Sequence, residues 1–154
     1  MNILAIDDEP NALHLLSQNI QAVVPQARVV DFTDPAAALA WAEQNTCDVA
    51  FLDIELGSMN GIELGKRLKE HNPKTNLIFV TGHLDYAVSA YALHASGYLS
   101  KPASREAIRV EMENLRYPMP RPQSGKALVV HCFGNFEVFH RGKPLDFKRS
   151  KTKE

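Results

Sequence analysis

The sequence predicts an α/β domain of the doubly wound class: a five-stranded parallel sheet with helices on both faces, followed by a short antiparallel β fragment. Three observations predict it. Five short apolar runs punctuate the first 116 residues with little alternation, the pattern of strands buried on both faces. Helical patterns lie between the runs, so strand and helix alternate five times, which calls for right-handed crossovers in one sheet. Acidic and other polar residues then end or follow these runs, as expected where chemistry gathers at the carboxyl edge of such a sheet.

The elements follow in order. Residues 2–6, 28–32, 49–53, 77–81 and 98–99 read as strands. Leu13, Leu16, Ile20 and Val23 keep a helical stripe after the first strand. Asp34 can cap an Ala-rich helix through Gln44, with Pro35 at its first position. Ile62, Leu64 and Leu68 mark a third helix, which Gly65 weakens. Ala87, Val88, Tyr91 and Ala92 mark a fourth, and Ile108, Met112 and Leu115 a fifth.

Composition is that of an ordinary globular protein, 45% hydrophobic and 23% charged. No apolar run approaches the ~18 residues of a membrane span. Asp7, Asp8 and Glu9 interrupt the only apolar stretch near the start, so no signal peptide is read there. Cys47 and Cys132 match no metal spacing, and a reduced, cytoplasmic setting is expected. The net charge of −1 hides an asymmetry: residues 1–116 hold 9 Lys/Arg against 15 Asp/Glu, and residues 117–154 hold 8 against 3. Two units with different partners are expected.

Asp7 and Asp8 end the first strand, Asp53 the third and Thr81 the fourth, while Lys101 follows the fifth. A lone Asp at a strand end is commonly a helix cap. Three carboxylates at one edge are different, because they repel unless a cation joins them. Hard oxygen ligands suit Mg²⁺, which binds a few carboxylates together with phosphate. Asp53 would then supply the attacking oxygen, and Mg²⁺, Lys101 and Thr81 would offset charge on a phosphoryl group. An enzyme or cofactor binder on the same sheet is the competing class. The first turn, Asp8-Glu9-Pro10-Asn11, speaks against it, being acidic and lacking phosphate-cradling glycines. Dehalogenase-type phosphatases need a second Asp two residues after the nucleophile, and Glu55 stands there. His83 and His94 read as loop or surface histidines rather than phosphoryl carriers.

Four segments together resemble the receiver domains of bacterial response regulators: Ile6-Asp7-Asp8-Glu9, Phe51 to Glu55 with Met59-Asn60-Gly61, Val80-Thr81-Gly82, and Tyr98-Leu99-Ser100-Lys101-Pro102. The resemblance covers residues 1–116 and implies a CheY-like strand order of 2-1-3-4-5. It implies that Asp53 takes a phosphoryl group from a histidine kinase, by Mg²⁺-dependent self-phosphorylation rather than turnover of a separate substrate. Asp8, Asp53 and the backbone carbonyl of Glu55 would hold Mg²⁺, with Asp7 acting mostly through water. Lys101 would pair with phosphoryl oxygens, the Lys101–Pro102 bond would be cis, and Thr81 with Tyr98 would form a two-state switch. The analogy extends to a homodimer through the fourth helix and fifth strand. A stand-alone receiver serving as phosphoryl sink or interaction switch is the alternative.

Residues 117–126 alternate prolines and then reach Ser-Gly, which reads as a semi-rigid linker. Residues 127–132, 135–139 and 145–147 read as strands, with Arg141-Gly142 as a hairpin turn. Phe133-Gly134-Asn135-Phe136-Glu137-Val138, Gly142 and the basic run 148–153 resemble the opening of SARP-type transcription activators, whose OmpR-like winged helix begins with a small antiparallel sheet. The expectation is a truncated chain, with residues 127–154 as the incomplete first sheet of that domain. DNA would be a partner of the full-length protein only, since the recognition helix is absent.

Overall fold

A computed structural model describes residues 1–82, 93–119, 128–131, 137–140 and 143–144. Contacts divide the chain into two compact units, Met1–Met119 and Pro120–Glu154.

The first unit contains β1 (Asn2–Ile6), α1 (Pro10–Val23), β2 (Arg28–Phe32), α2 (Pro35–Gln44), β3 (Val49–Leu52), β4 (Glu55–Leu56), β5 (Met59–Asn60), α3 (Gly61–His71), β6 (Asn76–Thr81), β7 (Gly97–Ser100) and α4 (Arg105–Glu113). Five strands form one parallel sheet in the order β2-β1-β3-β6-β7, the order expected. The helical stretch expected around Ala87 to Ala92 lies outside the described residues.

The three central strands are buried on both faces, and side chains alternate between two cores. Ile3 and Ala5, Val49 and Phe51, and Ile78 and Val80 join Leu13, Leu16 and Ile20 of α1 and Ile108 of α4. Leu4 and Ile6, Ala50 and Leu52, and Leu77 and Phe79 join Ala38 of α2 and Leu64 and Leu68 of α3. α2 starts at Pro35, and Asp34 accepts a hydrogen bond from the Ala36 amide. α3 starts at Gly61, with the Asn60 side chain accepting from Ile62. Gly65 does not end α3. Its position lets the helix lie close on the sheet, where an added Cβ would stand 3.0 Å from Leu77 Cδ1 and 3.4 Å from both Leu52 Cδ1 and Phe79 Cζ. Packing outweighs the propensity cost of about 1 kcal/mol.

The fifth strand, expected at 98–99, is longer and spans Gly97–Ser100. An antiparallel hairpin of β4 and β5 stands between β3 and α3, with Glu55 opposite Asn60 and Leu56 opposite Met59. The sequence reading did not foresee it.

The second unit holds an antiparallel sheet in the order β10-β9-β8, from β8 (Leu128–His131), β9 (Glu137–His140) and β10 (Lys143–Pro144). The third strand is Lys143–Pro144, whereas residues 145–147, like the basic run 148–153, lie outside the described residues. Among the described residues no helix is long and apolar enough to cross a membrane.

Candidate phosphoryl and metal site

Parallel pairing extends one residue past three strand ends and so fixes where the polar side chains stand. The Asp7 amide donates to the Phe32 carbonyl at 3.4 Å, the Asp53 amide to Ile6 at 2.9 Å, and the Lys101 amide to Thr81 at 3.0 Å. Alternation therefore carries Asp7, Asp53 and Lys101 on from Ala5, Phe51 and Leu99, all of the α1/α4 core. Thr81 and Tyr98 fall in step with the opposite core. Tyr98 packs against that core, beside Phe79 in register.

Asp7 and Asp53 are buried, 1% and 5% exposed, and Asp8 is exposed. One carboxylate oxygen from each of the three lies within 4.8 Å of the others. The Lys101 ammonium bridges the buried pair, at 2.6 Å from Asp7 Oδ2 and 2.6 Å from Asp53 Oδ2. Burial alone would pull this lysine's pKa down. Its hydrogen bonds to Asp53 and Asp7, and their charges, outweigh burial and hold it above the ordinary value.

Backbone amides hold the acids as well. The Glu9 amide donates to Asp7 Oδ1 at 3.0 Å, Glu55 to Asp53 Oδ1 at 3.3 Å, and Gly57 to Asp8 Oδ2 at 3.3 Å. Gly61 is required where it stands, because a side chain there would run into the Asp53 carbonyl oxygen. Its amide donates to the Ile54 carbonyl at 2.8 Å and closes the loop that follows Asp53. The side chain of Glu55 is exposed, Thr81 is 1% exposed, and a Cβ added at Gly82 would meet nothing within 4 Å. The Lys101–Pro102 peptide bond is cis.

The structure thus brings Asp7, Asp8, Asp53 and Lys101 together at the carboxyl edge, with Thr81 ending the neighbouring strand β6. His94 lies apart from this group, exposed and with a φ of 54°, and His83 is outside the described residues. The amides of Glu9, Glu55 and Gly57 were missed in the sequence, since a backbone donor leaves no residue-type signal.

The donor set suits a hard divalent cation: three carboxylates, two of them buried, reach a common point. Hard carboxylate oxygens of this kind would suit Mg²⁺, which takes a few carboxylates and keeps several waters.

Comparison with known proteins points to one family. The family model of the response regulator receiver domain matches residues 3–113. An uncharacterized response regulatory protein of Vibrio cholerae is 32% identical over 136 residues, covering 88% of this chain and 52% of that protein. The transcriptional regulatory protein LytR of Staphylococcus aureus is 30% identical over 138 residues, covering 89% of this chain and 56% of LytR. The chain therefore spans about half the length of these relatives. A response regulator from Burkholderia pseudomallei, solved with a phosphorylated aspartic acid, a calcium ion and citrate, superimposes with a TM-score of 0.63 at 28% identity, covering 70% of this chain and 63% of that one.

Proposed function

Because this chain belongs to the response regulator receiver family, we propose that Asp53 is its phosphoacceptor and that the chain is a phosphorylation-controlled switch. The observation that carries the proposal is the buried Asp53 carboxylate, held by Lys101 at 2.6 Å within a group of three acids. A phosphorylated aspartic acid and a divalent ion occur together in the similar regulator of Burkholderia pseudomallei, which supports the same chemistry here.

In the proposed reaction an Asp53 oxygen attacks the phosphorus of a kinase phosphohistidine. A P–O bond forms, the P–N bond breaks, and the imidazole nitrogen keeps the electron pair. Lys101 stays beside the phosphoryl oxygens and offsets their charge. Mg²⁺ would be held by Asp8, Asp53 and the Glu55 backbone carbonyl, with Asp7 acting through water, and would supply further positive charge. The Thr81 hydroxyl then turns toward the phosphoryl group and the Tyr98 ring turns inward, reshaping the surface beside β7.

The proposed output is transcriptional. LytR is named a transcriptional regulatory protein, and the antiparallel β8–β10 sheet is compatible with the resemblance of residues 133–138 to the opening of SARP-type activators.

The test of the phosphoacceptor is labelling with acetyl phosphate, or beryllofluoride binding, in the presence of Mg²⁺. The expected result is a stoichiometric mass or spectral change that disappears in Asp53→Ala. Unchanged labelling in that variant would remove Asp53 from the mechanism.

A further inference from the structure

We propose that the backbone N–H of Gly57, presented by the β4–β5 hairpin, is the positioning group that keeps Asp8 turned toward Asp7 and Asp53 as a ligand for a divalent cation. This deepens the reading of the acids as a metal-assisted phosphoacceptor site and rests on it.

The three acids are not held alike. Asp7 and Asp53 are buried, and each gives one oxygen to Lys101 and the other to a backbone amide. Asp8 is exposed, and the Gly57 amide lies 3.3 Å from its Oδ2. Like charges this close repel, and an exposed aspartate relieves the repulsion by rotating out to water. A donor fixed in the pocket wall opposes that rotation and leaves the other carboxylate oxygen for the cation. Hydrogen bonds of this kind orient metal ligands.

Gly57 is well placed to be such a donor. It is the first of two residues joining β4 to β5, whose ladder pairs Leu56 with Met59 and Glu55 with Asn60. Ile54 and Leu56, 0% and 2% exposed, root this segment in the α2/α3 core. The Gly61 amide ties the far end of the hairpin back to Ile54. A methyl group at position 57 would stand 3.5 Å from Asp8 Oδ2, an ordinary contact, so Ala fits and keeps the N–H. Proline suits the first position of a tight turn but has no N–H to give. The pair of substitutions therefore separates the donor from the loop.

The experiment titrates the full chain with Mg²⁺ by calorimetry and with Mn²⁺ by electron paramagnetic resonance, so phosphorylation is not the readout. Gly57→Ala is expected to bind within about twofold of wild type, and Gly57→Pro about tenfold more weakly. In an Asp8→Ala background the same Pro substitution is expected to add nothing, because the group it positions is gone. Trp41 fluorescence in urea checks that each variant folds. Should Gly57→Pro fail to fold, replacing the residue 57 amide by an ester removes the same N–H. Equal affinities of Gly57→Pro and wild type would overturn the inference, as would an equal loss in Gly57→Ala or a Pro effect that persists in Asp8→Ala. Wild-type protein that binds neither cation would instead overturn the metal-assisted reading beneath it.

Discussion

Replacing Asn76 by Leu removes a side chain that joins three segments at the edge of the sheet opposite the acids. Asn76 opens β6 and is 0% exposed. Its Oδ1 accepts from the Tyr117 amide at 2.9 Å and from Ser96 Oγ at 2.8 Å. Its Nδ2 donates to the Tyr117 carbonyl at 2.9 Å and to the Asp48 carbonyl at 3.3 Å. Both backbone groups of Tyr117 are thus bound by one side chain, which ties the segment beyond α4 to the start of β6 and to Ser96 just before β7. A typical hydrogen bond contributes about 1 kcal/mol net, and buried groups left without partners cost more. Water can reach the half-buried Tyr117 side of the cluster, so the loss should be about 2–4 kcal/mol rather than the full sum. That corresponds to a fall in Tm of roughly 10 °C for a unit of this size. Urea unfolding followed by Trp41 is the assay. Trp41 is the sole tryptophan, and its ring lies 6.4 Å from that of Phe32 inside the first unit. Native-state hydrogen exchange should also show the Tyr117 amide losing protection. A change below about 0.5 kcal/mol with Tyr117 still protected would refute the reasoning, since it would mean that Asn76 is not what holds this cluster.

Two further outcomes are expected. Burial raises the Glu111 pKa above its ordinary value, so the fold holds the neutral acid more readily than the unfolded chain does. The penalty is absent below the unfolded pKa, grows as pH rises through it, and is complete above the folded pKa. Glu111→Gln should therefore gain urea stability over wild type at pH 7 and lose that gain near pH 3.5; an equal gain at both would contradict the assignment. Burial first, and then the Asp48 charge, push the Cys47 thiol up to about 12 against a weaker opposing hydrogen bond with the Leu4 backbone. Peptide-resolved disulfide-reagent labelling at pH 8 should find native Cys47 at least roughly a hundredfold slower than in the urea-unfolded chain, because only the thiolate reacts. Similar rates in both states would show the thiol to be accessible.

Most of the sheet was legible because its central strands have no wet face. Residues such as Leu4, Phe51 and Ile78 form apolar runs that few other structures need. The acids stood out for the same reason: each interrupts such a run at the point where the sheet meets water. What escaped the sequence was carried by backbone or by short range. Two-residue strands such as Glu55–Leu56 and Met59–Asn60 have no periodicity to read. Gly97 and Ser100 are poor strand formers, so β7 reads as two residues while pairing extends it to four. Asn76 reads as a polar residue before a strand, yet its side chain is bonded on every side by groups up to 41 positions away.

The electrostatics of the site explain why a cation and a phosphoryl group belong to one proposal. Three carboxylates and one ammonium carry a formal charge of −2 when all are ionised, and two of the acids cannot turn to water because they are buried. Lys101 bridges those two, so its single charge is shared between them. Moving a phosphoryl group onto Asp53 replaces a carboxylate by a dianion and adds one more negative charge to the pocket. At short range and in a partly dry site that addition is steeply opposed. A divalent cation makes the group of four neutral beforehand, leaving a single negative charge after transfer. On the proposed reading that cation would draw on Asp8, the one of the three acids that Lys101 does not hold and that the Gly57 amide does. Acceptance of the phosphoryl group by Asp53 should therefore follow cation occupancy closely.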